Sequence, residues 1–226
     1  MSEFRDDSEF FNSLFELELD NVFNPYKHIC GFHDVENSPY VRRQNIQLFF
    51  ESARSAKVST LWIGRDLGYR GGRRTGLPLT DEGNLNRLAR VMNESRFRQA
   101  TRGAIWPERT ARVVWDMLAE INQPVFLWNV FPYHPHGPNS EMENRSHTSR
   151  ERFITAGFLK YVLDTLKPDT IVSIGRDAHT AVNSIGYNCI PVRHPSYGGQ
   201  TDFIGAIAKI YNLRLLAKKA TQLDLF

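Results

Sequence analysis

Four short apolar runs punctuate the chain, at 58–63 (VSTLWI), 125–131 (VFLWNVF), 169–174 (DTIVSI) and 188–192 (NCIPV). Each has the length of a strand, and none alternates cleanly between apolar and polar positions, which is the pattern of strands covered on both faces. Between and around them, apolar residues recur at helical spacing over 8–19, 41–55, 81–93, 107–121, 149–166, 177–185 and 201–219. Thr80 or Asp81 stands ahead of the third of these helices, Pro107 opens the fourth and Ser149 the fifth, all residue types that favour helix starts. Short apolar strands joined by helices predict an α/β fold, a three-layer α/β/α sandwich around a mostly parallel sheet of about four strands. The stretches 20–40 and 132–148 read as polar loops.

Composition narrows this picture. A chain of 226 residues supports one substantial core, so residues 1–221 are expected to form a single domain, with 1–40 a helical and loop N-terminal extension and 222–226 a separate peptide. With 41% hydrophobic and 23% charged residues it is a soluble globular sequence, and its apolar runs are too short to cross a bilayer. The start, MSEFRDDSEF, has neither the basic nor the apolar segment of a signal peptide, so a cytoplasmic location is expected. Two cysteines, Cys30 and Cys189, exclude a disulfide scaffold and a four-thiolate cluster. Neither His28, Cys30 and His33 nor His134 and His136 have partners at zinc spacing, and no cofactor or metal is expected. The net charge of +3 is uneven: residues 1–20 carry −6 and the remainder +9, enough to attract a polyanion.

In an open parallel sheet, ligands bind beyond the carboxyl ends of the strands. Three strands are followed there by Gly64-Arg65-Asp66, by Asn129 to His136 and by Arg193-His194-Pro195-Ser196. The tetrapeptide IGRD occurs twice, at 63–66 and 174–177. Asp177 directly precedes a helical run and is expected to cap it, whereas Asp66 is followed by Leu67, Gly68 and Tyr69 and has no such structural duty. A carboxylate, an amide and an imidazole at one rim suit cleavage of a glycosidic bond: the acid steadies positive charge on the sugar or orients water, the amide reads the base, and the histidine donates to the departing oxygen.

Three blocks in order, GRDLGY with TGLP at 64–78, the apolar strand ending in Asn129, and HPS at 194–196, resemble the uracil-DNA glycosylase superfamily. The resemblance implies a monofunctional DNA glycosylase that flips out uracil or another modified pyrimidine and hydrolyses its N-glycosidic bond. It places Asp66 and His194 as catalytic residues and Asn129 on the pyrimidine edge. Gly64, Arg65, Gly68, Tyr69 and Leu79 fall in the substrate pocket. Arg70, Arg73, Arg74 and Ser196 are expected on DNA phosphates, with Tyr197 as a wedge for the vacated stack. The histidines of 132–136 are expected to line the cleft or touch phosphate.

The departures are informative. A strict uracil-specific sequence would carry Pro and Tyr after the Asp, the Tyr excluding a 5-methyl group; here stand Leu67 and Gly68. Leu79 occupies the place of a stacking Phe, leaving Tyr69 or Trp128 as the aromatic face. The open gate admits an alternative purpose, excision of 5-substituted, hypermodified pyrimidines from phage DNA; a non-catalytic nucleic-acid-binding protein is the second alternative. The last residues, QLDLF, resemble the short peptide with which bacterial repair proteins bind the sliding clamp, using Gln222, Leu223, Leu225 and Phe226.

Overall fold

The computed structural model describes residues 4–214. In chain order the elements are α1 (Asp7–Glu16), β1 (Val22–Phe23), α2 (Ser38–Ser55), β2 (Thr60–Asp66) and α3 (Gly72–Thr75). A 3-10 turn (Glu82–Asn84), α4 (Leu85–Met92), α5 (Arg109–Ile121), β3 (Phe126–Phe131) and β4 (His134–Pro135) come next. The chain continues through α6 (Ser149–Leu166), β5 (Thr170–Ile174), α7 (Arg176–Ser184), β6 (Ile190–Val192) and α8 (Gln200–Ile210).

Strands β3, β2, β5 and β6 lie side by side in that order, all parallel, so every carboxyl end opens onto one rim. Helices cover both faces, giving the α/β/α sandwich. On one side Phe10 of α1, Phe50 of α2 and Tyr161 of α6 pack with Phe126 and Trp128 of β3; the Phe10 and Tyr161 rings stack at 4.5 Å. On the other, Trp62 meets Phe203 of α8 edge-on and donates its indole N–H to the Tyr211 hydroxyl at 3.0 Å. Fully burying such a ring stabilises by roughly 1.5–3 kcal/mol, so these contacts outweigh the marginal intrinsic stability of helices this short. The buried side chains from α1 to α8 form one cluster, and Phe10, Phe11, Leu14 and Phe15 make α1 part of it.

Local chemistry explains most boundaries. The start of α6 is a capping box, in which the Thr148 hydroxyl accepts from the Glu151 N–H and the Glu151 carboxylate from the Thr148 N–H. Asp81 caps the 3-10 turn through Asn84, so the expected helix over 81–93 is a tight turn followed by a shorter α helix. The expected helix over 201–219 ends at Ile210, and Asn212 lies beyond it in the left-handed region with φ 52°. Two stretches expected to be loops pair with each other: Val22 opposes Pro135 and Phe23 opposes His134 in an antiparallel ribbon. Two-residue strands carry too little periodicity to be visible in sequence. Among the described residues, no helix is long and apolar enough to cross a membrane.

Candidate active site at the carboxyl rim of the sheet

The parallel register sets Gly64 opposite Asn129, so the two strand ends meet where β2 and β3 open onto the rim. Asn129 is fully buried, and among the described residues neither its amide nitrogen nor its amide oxygen has a hydrogen-bond partner. An orphaned amide costs about 1–3 kcal/mol, which marks it as a group held ready for a ligand. Gly64 is what lets it lie there: a Cβ at this position would stand 2.6 Å from the Asn129 amide oxygen and 3.1 Å from Leu79. Leu79 closes the same corner in a left-handed conformation, φ 53°, which strains a non-glycine residue and persists only where the surroundings dictate it. It brings an aliphatic side chain to the same corner as the amide.

Asp66, at the end of β2, has both carboxylate oxygens engaged. Arg65 donates from Nε at 2.6 Å to one, and Nδ1 of His147 makes a short contact with the other. Bonds at both oxygens hold the carboxylate in one orientation. Arg65 also reaches Asp177 at 3.5 Å, so the two IGRD copies meet across the β2 and β5 ends and are joined by one guanidinium. The expectation that Asp177 caps its helix is corrected. Gly175, with φ 91°, is the N-cap residue, and Asp177 lies in the first turn, where its charge suits the helix dipole.

His194 stands just beyond β6. The Ser196 backbone N–H donates to Nδ1 at 3.2 Å, and the Ser196 hydroxyl lies 2.7 Å from the same nitrogen. A backbone N–H only donates, so Nδ1 is an acceptor and the proton of the neutral ring sits on Nε2. Burial, with the Arg65 charge added, lowers the imidazole to about 4, so it is neutral at physiological pH. The rim thus offers a neutral N–H donor at His194 and, at the end of β2, a carboxylate held in one orientation. Ser196, expected on phosphate, is spent on setting that tautomer.

The basic loop is divided. Arg70 is exposed, stacks over Tyr69 and donates to its hydroxyl at 2.7 Å. Arg73 and Arg74, expected on phosphates, are buried instead. Arg73 pairs with Glu141, lies over the Phe23 ring and contacts His134, while Arg74 donates twice to Glu82. Spacing in a loop does not reveal which guanidiniums find buried acids, and here the acids lie 68 and 8 residues away. His134 is likewise interior, lowered to about 3 by burial and by Arg73, so it does not line the cleft. Trp128 is a core residue stacked on Phe126, which removes it as a face for the base. Tyr197 is almost wholly exposed, at 98%, and is held at φ 49°. It stands with His194 and Ser196 on an open recess of about 520 Å³ along the β6 edge. Among the described residues, no three His, Cys, Asp or Glu side chains gather where they could hold a metal ion.

Sequence reading missed two residues of the site. His147 has no motif, but the Thr148-x-x-Glu151 capping box fixes a helix start, and in a β/α unit that start lies on the strand-end rim. Glu108, at the start of α5, gave no signal: its carboxyl reaches the Gly68–Gly71 backbone from 37 residues away in sequence.

Residues 53–206 match the family model of the uracil DNA glycosylase superfamily, well over half of the chain. The chain belongs to that superfamily. No curated protein matches it. The matched segment contains Asp66, Asn129, His147 and His194, and superfamily membership supports a DNA glycosylase-type function in general.

Proposed function

We propose that the protein is a monofunctional DNA glycosylase acting on uracil or a related pyrimidine. The observation that carries this reading is the buried, unpartnered Asn129 amide beside Gly64, on the rim that also holds Asp66 and His194. The extruded base enters the Asn129 corner, where the amide supplies one donor and one acceptor to its edge. As the C1′–N1 bond breaks, its electrons move onto the base, and the Nε2–H of His194 stabilises the charge gathering on the base oxygen. The Asp66 anion, fixed by Arg65 and His147, stabilises the sugar cation and orients the water that bonds to C1′. The water's released proton balances the base anion. No lysine stands in the rim loops to form a Schiff base, so hydrolysis ends at the abasic site.

Arg70 faces a phosphate and Tyr197 enters the stack that the base has left. The clamp-binding motif at Gln222, Leu223, Leu225 and Phe226 lies outside the described residues; deletion of 222–226 is expected to abolish binding to a sliding clamp without changing base release from a short oligonucleotide.

Single-turnover release from matched oligonucleotides carrying uracil, thymine, 5-hydroxymethylcytosine or its glucosylated form tests the reading, with Asp66→Asn beside wild type. Release that depends on Asp66 supports it. Silence on all four bases favours a binding protein that retains the fold.

A further inference from the structure

Two adjoining loops present apolar side chains to solvent. Phe32 is 80% exposed and Ile105 50%, although the fold holds the Phe32 turn firmly. The Asp34 N–H donates to the Cys30 carbonyl at 2.9 Å, and the Cys30 N–H donates to the Asp34 carboxylate at 2.8 Å. Asp34 is itself anchored by a buried ion pair with Arg42. From the other loop, the Arg102 N–H donates to the His33 carbonyl at 2.7 Å and its guanidinium to the Gly31 carbonyl at 3.3 Å. Phe32 thus sits in a turn whose backbone is bonded on either side of it. A loose loop could fold such a ring away from water; this one keeps it out, which marks a contact surface ordered before anything binds.

The surrounding charge indicates the partner. The exposed charged residues of 28–36 and 98–109 are Glu36 against Arg98, Arg102 and Arg109. Among the described residues none of these three arginines is in an ion pair, whereas Arg74, Arg87, Arg96 and Arg145 all are. The nearby acids are spent elsewhere: Asp34 on Arg42, Glu82 on Arg74, and Glu108 against the Gly68 and Gly71 backbone. The patch therefore keeps an excess of positive charge around an exposed ring.

It also adjoins the candidate active site. Trp106 meets His33 edge-on with ring centroids 4.5 Å apart and lies against the Arg74 guanidinium. Two residues further on, Glu108 touches the loop that leaves β2, where Arg70 is exposed. Cations interleaved with an aromatic ring are the means by which proteins hold an unpaired strand: the cations take phosphates, and the ring stacks on a base whose face a duplex would cover. We infer that this patch binds single-stranded DNA continuing from the excised nucleotide, with Phe32 as the platform on which an unpaired base stacks. The inference goes beyond the glycosylase reading and takes from it only the identity of the polymer.

Fluorescence anisotropy tests it, with a labelled single strand of about 20 normal nucleotides and with the duplex made from it. Phe32→Ala removes nothing buried; it should weaken single-strand binding about 10-fold or more and leave duplex binding within about two-fold. Phe32→Trp, which keeps a ring, should stay within a few-fold of wild type, whereas Phe32→Leu, apolar without a π face, should behave as Phe32→Ala does. Arg109→Ala should lower the salt dependence of single-strand binding by about 0.7 in slope. Melting temperatures equal to wild type show that each variant is folded. Unchanged single-strand affinity in Phe32→Ala, or an equal loss on the duplex, overturns the inference. Wild-type affinity in Phe32→Leu overturns it as well and makes the patch an apolar surface for a protein. Uracil release followed on the same samples separates the two readings: release with Phe32-independent strand binding overturns this inference alone, and Phe32-dependent strand binding without release overturns the glycosylase reading alone.

Discussion

Replacing Asn129 with valine should make the protein more stable and inactive. The side chain is fully buried and both of its polar atoms lack partners among the described residues. Each such orphan costs about 1–3 kcal/mol, and since water can satisfy part of that, the low end applies. Valine is close to asparagine in size and its branched Cβ suits a central strand, so neither a cavity nor crowding offsets the gain. The net stabilisation is then about 1 kcal/mol, a rise of roughly 2–4 °C in melting temperature for a domain of this size. The same substitution removes the donor and acceptor that read the base, and single-turnover uracil release should fall about 10²-fold or more. Differential scanning fluorimetry and base release on one preparation measure both. A lower melting temperature together with uracil release within a few-fold of wild type would refute the assignment of this amide to the base.

The two kinds of arginine in the basic loop separate cleanly. Arg74→Ala strands the Glu82 carboxylate in the interior and should cost about 3–5 kcal/mol by chemical denaturation; Arg70→Ala should leave stability unchanged but lower the salt dependence of DNA binding by about one unit of slope. Ser196→Ala leaves only the backbone N–H on Nδ1, loosens the tautomer of His194 and should slow base release about 10-fold, with the loss read in the rate and not in DNA affinity. Because His194 is lowered to about 4, the activity it supports should persist through mildly acidic pH and fail only as the pH falls through that value. Glu108 contributes with the opposite sign. Its carboxyl is raised from 4.5 to about 7, so it binds a proton in the folded state that the unfolded chain has lost; that stabilisation is complete below 4.5 and disappears as the pH rises through about 7. Denaturation of Glu108→Gln at pH 6 and pH 8 should show a smaller loss between the two than wild type, by on the order of 1 kcal/mol.

The sheet and its rim were legible because strands covered on both faces are predominantly apolar without clean alternation, as VSTLWI, VFLWNVF and DTIVSI are, and NCIPV reads the same way although Ile190 and Pro191 of β6 are exposed. That pattern placed Asp66, Asn129 and His194 in or just after the carboxyl-terminal parts of strands of one parallel sheet, whose carboxyl ends open onto one rim. It did not reveal which polar groups become interior. Arg73 and Arg74 look like surface charge in GGRRTG, and only the long-range position of Glu141 and the fold around Glu82 bury them. His147 and Glu108 fail to show for the same reason: each gains its role from a group far away in sequence, Asp66 in one case and the Gly68–Gly71 backbone in the other. The duplicated IGRD shows the converse. Identical tetrapeptides end two neighbouring strands, and their downstream segments set them apart: a helix takes in Asp177, whereas an open loop leads away from Asp66.

The glycosylase assignment is tested most directly by single-turnover uracil release from wild type and Asp66→Asn, with binding to abasic-site DNA measured on the same samples. Asparagine keeps the shape of the side chain and removes its charge, exchanging one of its two acceptor oxygens for an NH2 donor. Release should slow by about 10²–10³-fold, the scale of losing one preorganised electrostatic group, with binding to the abasic product within a few-fold of wild type. Equal release by the two proteins would contradict the assignment.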